Sequence, residues 1–212
     1  KPKRLRVVTT LHGTDITLVG VQPSFHKVVR FSIEESDRVT AVSEFLRQHT
    51  IESFRPDHPI TVIPNFIDTD RFKPGVESHC HFRRGNEKVV LHASNFRPVK
   101  NIPAVIRTFA AIADDVPARL VMVGDGPERW PAQNLARELG IEDRVQFLGV
   151  QEGMEAVLSQ ADLLLLPSEH ESFGLAALEA MASGVAVIAT QNGGTTEVIE
   201  DGGSGFLRHP PD

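Results

Sequence analysis

Hydrophobic and polar positions follow two alternating periods along nearly the whole chain. Short β-branched runs predict strands, and the stretches between them carry apolar residues three and four positions apart, as helices do. The predicted strands are residues 5–10, 38–42, 61–63, 89–92, 120–123, 145–147, 163–166, 185–189 and 205–207. The predicted helices are residues 25–35, 44–54, 103–113, 128–139, 152–159, 175–183 and 195–200. Single helices between successive strands favour right-handed crossovers and parallel sheets, so the predicted fold class is α/β.

The stretch from Asp68 to Glu87 interrupts this rhythm, since it holds Pro74, Gly75 and Gly85 and shows no helical period. We place a connection at residues 74–85, between an N-terminal unit, residues 1–73, and a C-terminal unit, residues 86–212. The second unit has six predicted strands and is nearly a whole doubly wound domain. The first has three, which make a poor free-standing sheet. We therefore expect the N-terminal domain to be only partly present and the C-terminal end to be truncated.

Charge, cysteine count and apolar runs argue against several kinds of site and partner. The 212 residues carry a net charge of −6, which disfavours nonspecific nucleic-acid binding. The single cysteine, Cys80, excludes an internal disulfide and fits a reducing compartment. The longest apolar region, residues 174–190, is interrupted by Glu179 and is too short for a membrane span. Residues 79–81, His-Cys-His, are too close in sequence to converge easily on one metal ion. We expect a cytoplasmic protein without a metal site, a membrane partner or a nucleic-acid partner, and leave homo-oligomerisation open.

The most informative stretch is residues 167–182, which begin where a predicted buried strand ends. That end of a parallel strand is the usual ligand side of such a sheet. A loop containing Phe173 and Gly174 leads into a helix beginning near Leu175. The free backbone N–H groups and the positive end of such a helix suit a diphosphate.

Two acidic residues in this stretch are candidates for binding a sugar nucleotide. Glu179 shares a predicted helix face with three apolar residues, Leu175, Leu178 and Ala182. A carboxylate beside an apolar stripe loses hydration and needs hydrogen-bond donors, and a ribose diol supplies two. Glu171 lies in the preceding loop, where it is able to accept hydroxyl protons from the sugar. Spacing alone equally allows Glu179 to pair with a nearby Arg or Lys and Glu171 to be a solvated loop acid.

Further candidate residues follow other predicted strands. Arg97 and Lys100 follow strand 89–92. Their two positive charges suit the negative charge that develops on a departing diphosphate. A role in surface solubility explains either residue taken alone. Residues 124–126, Gly-Asp-Gly, form a glycine-rich turn that lacks the third glycine of a dinucleotide fingerprint. Glu197, after a Gly-Gly turn, is interpreted as complementing the dipole of its own helix. His12 and Asp15 follow the first strand. Because His12 precedes a glycine at a strand end, a structural role and a binding role are equally expected for it.

Taken together, these segments resemble family 4 of the retaining glycosyltransferases. The pair Glu171 and Glu179, eight positions apart within E-S-F-G-L-A-A-L-E-A-M-A-S-G, matches the signature of that family. Supporting motifs are Gly193-Gly194-x-x-Glu197, residues 65–68 (N-F-I-D) and residues 123–128 (V-G-D-G-P-E). The resemblance implies the GT-B fold, in which two Rossmann-like domains face each other across a cleft. Within the family, residues 10–17, 30–43 and 94–100 are most similar to members of bacillithiol biosynthesis that transfer N-acetylglucosamine to L-malate.

The resemblance also implies substrates and roles. The donor is UDP-GlcNAc and the acceptor is a small hydroxy acid, L-malate, with no cofactor and no metal ion. By this resemblance Glu179 holds the ribose and Glu171 the sugar hydroxyls, and Arg97 and Lys100 hold the diphosphate. His12 and Asn95 flank the sugar, Thr10 reaches the malate, and Phe173, Gly174 and Leu175 complete the donor site. The upstream strands and final helix usual in the family are absent from these 212 residues. We therefore expect the 212 residues on their own to be weakly active or inactive as a transferase.

Three alternatives stay open at this point. A family 4 enzyme with another acceptor, such as a hexose, an inositol phosphate or a lipid-linked glycan, fits the same donor motifs. A UDP-GlcNAc 2-epimerase has the same architecture, but without the two-glutamate signature in this form. A nonenzymatic nucleotide-sugar binding module is the third alternative.

Overall fold

The computed structural model describes residues 5–14, 16–17, 20, 22–78 and 82–209, so Asp15 and the His-Cys-His trio at 79–81 lie outside the described residues. Contacts divide the chain into two compact units. The first comprises Lys1–Phe66 with Glu171–Gly174 and Gly193–Glu197, and the second comprises Ile67–His170, Leu175–Asn192 and Val198–Asp212. The described part of the predicted connection, 74–78 and 82–85, belongs to the second unit.

The first unit contains a three-stranded parallel sheet in the order β1-β2-β3. Its strands are β1 (Val8–Leu11), β2 (Arg38–Ala41) and β3 (Ile60–Val62), and its helices are α1 (Pro23–Glu34) and α2 (Glu44–Phe54). Helix α2 begins at a polar cap, since the Ser43 side chain accepts a hydrogen bond from Leu46 N at 3.1 Å. It ends at Arg55, which adopts a left-handed conformation.

The second unit is built on a six-stranded parallel sheet in the order β6-β5-β4-β7-β8-β9. Its strands are β4 (Lys88–Ala93), β5 (Ala118–Val123), β6 (Val145–Gly149), β7 (Leu163–Leu166), β8 (Ala186–Thr190) and β9 (Phe206–Arg208). Its helices are α3 (Ile102–Ala113), α4 (Arg129–Glu138), α5 (Met154–Leu158) and α6 (Leu175–Ala182). Helix α7 (Thr195–Val198) begins in the first unit and ends in the second.

Both faces of the six-stranded sheet are buried, which explains the continuous apolar runs of its strands. Along β4, Val89 and Leu91 belong to one core cluster and Val90 belongs to the other. This division follows the alternation of side chains in a strand. Helix α3 packs on the second cluster through fully buried side chains such as Ile102, Ile106 and Phe109.

Over the described residues, the structure confirms the predicted α/β class and contains every strand and helix predicted from the sequence, with bounds that differ by a few residues. Two 3₁₀ turns, Pro98–Lys100 and Glu142–Arg144, were not predicted because three residues are too few to show a period. Helix α5 is shorter than predicted and starts after Gly153. No helix among the described residues combines the length and the apolar character needed to cross a bilayer.

Candidate functional site

The second unit has a pocket at the carboxyl ends of its central strands. The strand order reverses between β4 and β7, because β5 and β6 lie on one side and β8 and β9 on the other. Such a reversal leaves a crevice where α/β proteins bind ligands. A pocket of about 370 Å³ lies at this point. It is lined by Ala93, Ser94, Asn95, Val123, Gly124, Asp125, Val150, Gln151, Met154, Ala176 and Glu179.

The loop after β4 is held by a buried histidine. His92 is fully buried, its Nδ1 lies 2.8 Å from the Leu165 carbonyl oxygen on β7, and its Nε2 lies 2.8 Å from Ser94 Oγ. The Phe96 backbone N–H in turn donates to Ser94 Oγ at 3.3 Å. Burial lowers the pKa of His92 to about 4, the Leu165 carbonyl opposes this shift, and the Lys100 charge adds to it. A neutral imidazole therefore fixes the β4 end of the pocket.

The glycine-rich turn after β5 packs directly against that loop. A Cβ atom on Gly124 would lie 1.7 Å from the Ser94 carbonyl oxygen, and one on Gly126 would lie 2.2 Å from the Asn95 carbonyl oxygen. Both glycines also have positive φ angles, +121° and +153°. The turn therefore requires glycine because two backbones approach closely at positive φ angles.

Glu179 contributes a carboxylate to the wall of this pocket. It is half-buried on α6, and burial raises its pKa, opposed by Arg71 and assisted by Glu155. Among the described residues, the Glu179 carboxylate has no hydrogen-bond donor. A half-buried acceptor of this kind suits a ligand that brings hydroxyl groups.

The predicted apolar face of α6 is wrong. The buried residues of the helix are Ala177 and Ala180, while Leu175 is 40% exposed. The short alanines contact the core because α6 packs close to β7 and β8. Glu179 lies beside this alanine stripe, and its partial burial agrees with the expectation that it loses hydration.

Two residues near Glu179 were missed by the sequence reasoning. Arg71 forms an ion pair with Glu155 on α5, with Nη2 to Oε2 at 2.9 Å. The guanidinium group also exerts an electrostatic attraction on Glu179. The two partners are 84 positions apart, so no spacing rule connects them.

Arg97 and Lys100 follow Asn95 in the same segment of the second unit. Arg97 is exposed and precedes the 3₁₀ turn, and Lys100 is half-buried at its end. Lys100 N donates to the Arg97 carbonyl oxygen at 2.8 Å, which closes the turn. The structure thus places Asn95 and Glu179 in one pocket, with both cations on the segment that continues from it.

The other predicted residues belong to the first unit. Thr10 is exposed, and its hydroxyl accepts a hydrogen bond from Thr40 Oγ1 at 2.9 Å. His12 is exposed directly after β1. The neighbouring Gly13 packs so closely on Ser172 that a Cβ atom would lie 1.7 Å from the Ser172 hydroxyl. The segment 171–174 of this unit therefore lies against the turn that carries His12.

Two glycines shape the 171–174 segment. A Cβ atom on Gly193 would lie 2.2 Å from the Glu171 carbonyl oxygen, and one on Gly194 would lie 2.3 Å from that of Ser172. Gly194 N donates to the Glu171 carbonyl oxygen at 2.7 Å. Glu171 itself is half-buried, Phe173 is 8% exposed, and Gly174 has a φ of +97° immediately before α6. The burial of Phe173 gives its side chain a packing role.

The interpretation of Glu197 as a complement to its own helix is corrected by the structure. Its two carboxylate oxygens accept hydrogen bonds from Glu44 N at 2.8 Å and Phe45 N at 2.7 Å. These are free N–H groups at the start of α2. Glu197 thus caps a different helix of the first unit, more than 150 positions away.

Comparisons with known proteins agree with these motifs. Residues 78–212 match the family described as glycosyl transferases group 1, and residues 1–71 match glycosyltransferase family 4. N-acetyl-alpha-D-glucosaminyl L-malate synthase of Bacillus anthracis is 47% identical over 97% of this chain and 55% of its own length. D-inositol 3-phosphate glycosyltransferase of Nocardia farcinica is 34% identical over 82% of this chain and 42% of its own length. The chain spans about half the length of these curated relatives.

Solved structures extend the comparison to the fold. Anabaena HepE in complex with UDP and glucose has a TM-score of 0.83 and 25% identity, covering 97% of this chain and 58% of that protein. The parallel sheets and this structural similarity establish an α/β fold of the GT-B type.

Proposed function

This chain belongs to the glycosyl transferases group 1 family, and from that premise we propose that the protein moves N-acetylglucosamine from UDP-GlcNAc to the hydroxyl group of L-malate, with retention of anomeric configuration. The observation that carries the donor half of the proposal is the half-buried Glu179 carboxylate in the pocket at the β4–β7 reversal. The acceptor half is supported by the 47% identity to the malate synthase of Bacillus anthracis.

The donor roles follow from chemistry and from the family signature. Glu179 accepts hydrogen bonds from the ribose hydroxyls, and the pocket beyond it receives the base. Arg97 and Lys100 neutralise the diphosphate as it leaves. Electrostatic stabilisation of this kind replaces a metal ion in the proposal, so activity is expected to survive a chelator.

The remaining roles concern the sugar and the acceptor. Glu171 binds hydroxyl groups of the N-acetylglucosamine, His12 and Asn95 flank the ring, and Thr10 contacts malate. The leaving phosphate takes the acceptor's proton on the same face of the sugar. Catalysis then consists mainly of positioning and charge stabilisation, which is why no nucleophilic side chain is required. We also propose a cytoplasmic location, where a nucleotide sugar and malate are both available.

A donor and acceptor screen on the natural-length protein tests this function. Release of UDP from UDP-GlcNAc should depend on L-malate, and the product should be the α-glycoside of malate by NMR. Release stimulated by inositol phosphate or a hexose instead of malate would contradict the acceptor assignment. Formation of an epimerised nucleotide sugar without any acceptor would contradict transfer itself.

Matched variants connect the activity to the pocket. Glu179→Gln removes a charged acceptor of two hydrogen bonds and should raise KM for the donor by roughly tenfold or more. Glu138→Gln, an exposed residue at the end of α4, serves as the control and should leave KM unchanged. Equal KM values for the donor in the two variants would contradict the role of Glu179 in the donor site.

A further inference from the structure

A short turn after β6 carries Gln151 to the wall of the pocket at the β4–β7 reversal. Strand β6 ends at Gly149, whose carbonyl oxygen accepts a hydrogen bond from Gly124 N at 2.8 Å. This bond joins the turn to the loop after β5, and Gly124 also lines the pocket. Helix α5 then begins at Met154, another lining residue. Gln151 therefore lies between a strand end and a helix start that are both fixed in the pocket wall.

The side-chain amide of Gln151 has a defined orientation. Its Nε2 donates a hydrogen bond to the Leu148 carbonyl oxygen at 2.9 Å, which folds the half-buried side chain back towards β6. Only the NH₂ end of an amide donates to a carbonyl oxygen, so this bond distinguishes the two ends of the amide. Oε1 is the other end, and none of the described residues donates a hydrogen bond to it. The pocket wall thus contains an amide oxygen that is free to accept.

Two other polar side chains of the pocket are engaged with the protein. Ser94 Oγ lies 2.8 Å from His92 Nε2. The Asp125 carboxylate accepts hydrogen bonds from Gly126 N at 2.8 Å and from Arg129 Nη1 at 3.2 Å, one on each oxygen. Ser94 and Asp125 therefore hold the loops that form the wall.

The side chains with hydrogen-bonding atoms left for a ligand are fewer. Among the described residues that line the pocket, they are Asn95, Gln151 and Glu179. With Asn95 proposed beside the sugar and Glu179 on the ribose, Gln151 remains for the base. Val150, next to it, is 76% exposed and lines the same pocket, so it offers an apolar surface to a flat ring. An apolar surface beside one oriented polar group is typical of a site that selects its ligand.

We infer that Gln151 is a specificity residue for the base of the nucleotide sugar: its Oε1 accepts a hydrogen bond from a ring N–H group, which uracil supplies at N3. This inference rests on the proposed donor site. Turning the amide to offer Nε2 to a ring acceptor would place Oε1 against the Leu148 carbonyl oxygen, so the side chain favours a donor on the base. A base without an N–H group leaves Oε1 unpaired, and an unpaired acceptor lowers affinity.

Comparison of UDP with the 5′-diphosphate of the pyrimidin-2-one ribonucleoside tests the inference, because this base keeps the ring but has no N–H group. The ratio of its dissociation constant to that of UDP is measured by calorimetry on the natural-length protein and on Gln151→Met, which keeps the side-chain length and removes the amide. We expect the ratio to be about tenfold lower in Gln151→Met than in wild type. Gln151→Ala is a second variant without the acceptor and should lower the ratio equally.

Two further variants serve as controls. Gln133→Met makes the same substitution at a half-buried glutamine on α4 that lines a different pocket, and it should keep the wild-type ratio. Glu179→Gln should weaken the binding of both ligands and also keep the ratio, because both carry the same ribose.

The outcomes separate the inference from the proposed function. A wild-type ratio in Gln151→Met and Gln151→Ala, with both ligands weakened in Glu179→Gln, would overturn the inference and leave the donor site in place. An unchanged UDP affinity in Glu179→Gln would overturn the ribose role in the proposed function. An equal fall of the ratio in Gln133→Met and Gln151→Met would show a general effect of the substitution and would also overturn the inference.

Discussion

His92 Nε2 and Ser94 Oγ lie 2.8 Å apart at the carboxyl end of β4, and the opposite nitrogen of the same ring lies 2.8 Å from the Leu165 carbonyl oxygen. With Nδ1 as the donor to the carbonyl oxygen, Nε2 accepts the Ser94 hydroxyl proton and Ser94 Oγ accepts from Phe96 N. This chain of hydrogen bonds needs a neutral imidazole. A protonated ring would have to displace the Ser94 proton within a fully buried site.

Stability should therefore decrease at acidic pH because of His92. Its pKa is about 4 in the folded protein, below the ordinary 6.5, since burial disfavours the charged form. The folded state binds the proton less readily than the unfolded chain does. The contribution of neutral His92 to the free energy of unfolding is therefore fully present above pH 6.5, and it is lost as the pH falls towards 4. The loss amounts to about 3 kcal/mol. Urea unfolding of wild type and His92→Gln at several pH values checks this, and parallel curves for the two proteins would contradict it.

Gly124→Ala should disrupt the pocket more than a substitution at Gly140, a glycine that also has a positive φ angle but has open space around it. The new Cβ atom would collide with the Ser94 carbonyl oxygen at 1.7 Å, so the loop carrying Asn95 must move. We expect a loss of UDP affinity of about tenfold and a loss of stability above about 1 kcal/mol. Gly140→Ala has a φ of +70° and no atom within 4 Å, so it should show the conformational strain alone. Equal UDP affinities in the two variants, measured by calorimetry, would refute the close-approach explanation.

Gly194→Ala should reduce sugar transfer by displacing the 171–174 segment. Its Cβ atom would lie 2.3 Å from the Ser172 carbonyl oxygen and 2.6 Å from the Phe173 Cα atom. Because Glu171 is proposed to hold the sugar, kcat/KM should fall by roughly tenfold or more, as displacement of a positioning group does. Gly153→Ala is the control, with an ordinary φ of −96° and nothing within 4 Å. Steady-state kinetics that do not differ between these two variants would contradict the role given to the segment.

Glu197→Gln should weaken the start of α2. The carboxylate accepts from Glu44 N and Phe45 N, and a neutral amide supplies one oxygen in place of two. We expect a loss of about 1 kcal/mol in the free energy of unfolding, typical of a helix cap. Glu52→Gln, exposed on the same helix, should lose less. Chemical denaturation of both variants measures the difference, and a Glu197→Gln curve that coincides with wild type would mean that the cap adds no stability.

The sequence predicted the α/β architecture well because parallel strands buried on both faces leave continuous apolar runs such as Leu163–Leu166. It also indicated Asn95 and Glu179, which the structure places in one pocket. The structural role of His92 was not predicted, because a single polar residue within a strand gives no periodic pattern. The ion pair of Arg71 with Glu155 depends on long-range packing, which local spacing does not encode. The buried face of α6 was predicted wrongly because helical spacing favours large apolar residues as the buried ones. In the structure the helix packs closely on the sheet, and its buried residues are the small side chains of Ala177 and Ala180.

The central claim is that Glu179 binds the ribose of the donor in the pocket at the β4–β7 reversal. A crystal structure of the natural-length protein with UDP bound tests it most directly. We predict ribose hydroxyl oxygens within about 3.2 Å of the Glu179 carboxylate, with the base beside Val150 and Gln151. The second unit has another pocket of about 200 Å³, lined in part by Val105, Pro167 and Arg208. UDP bound there, or with its ribose out of reach of Glu179, would contradict the account.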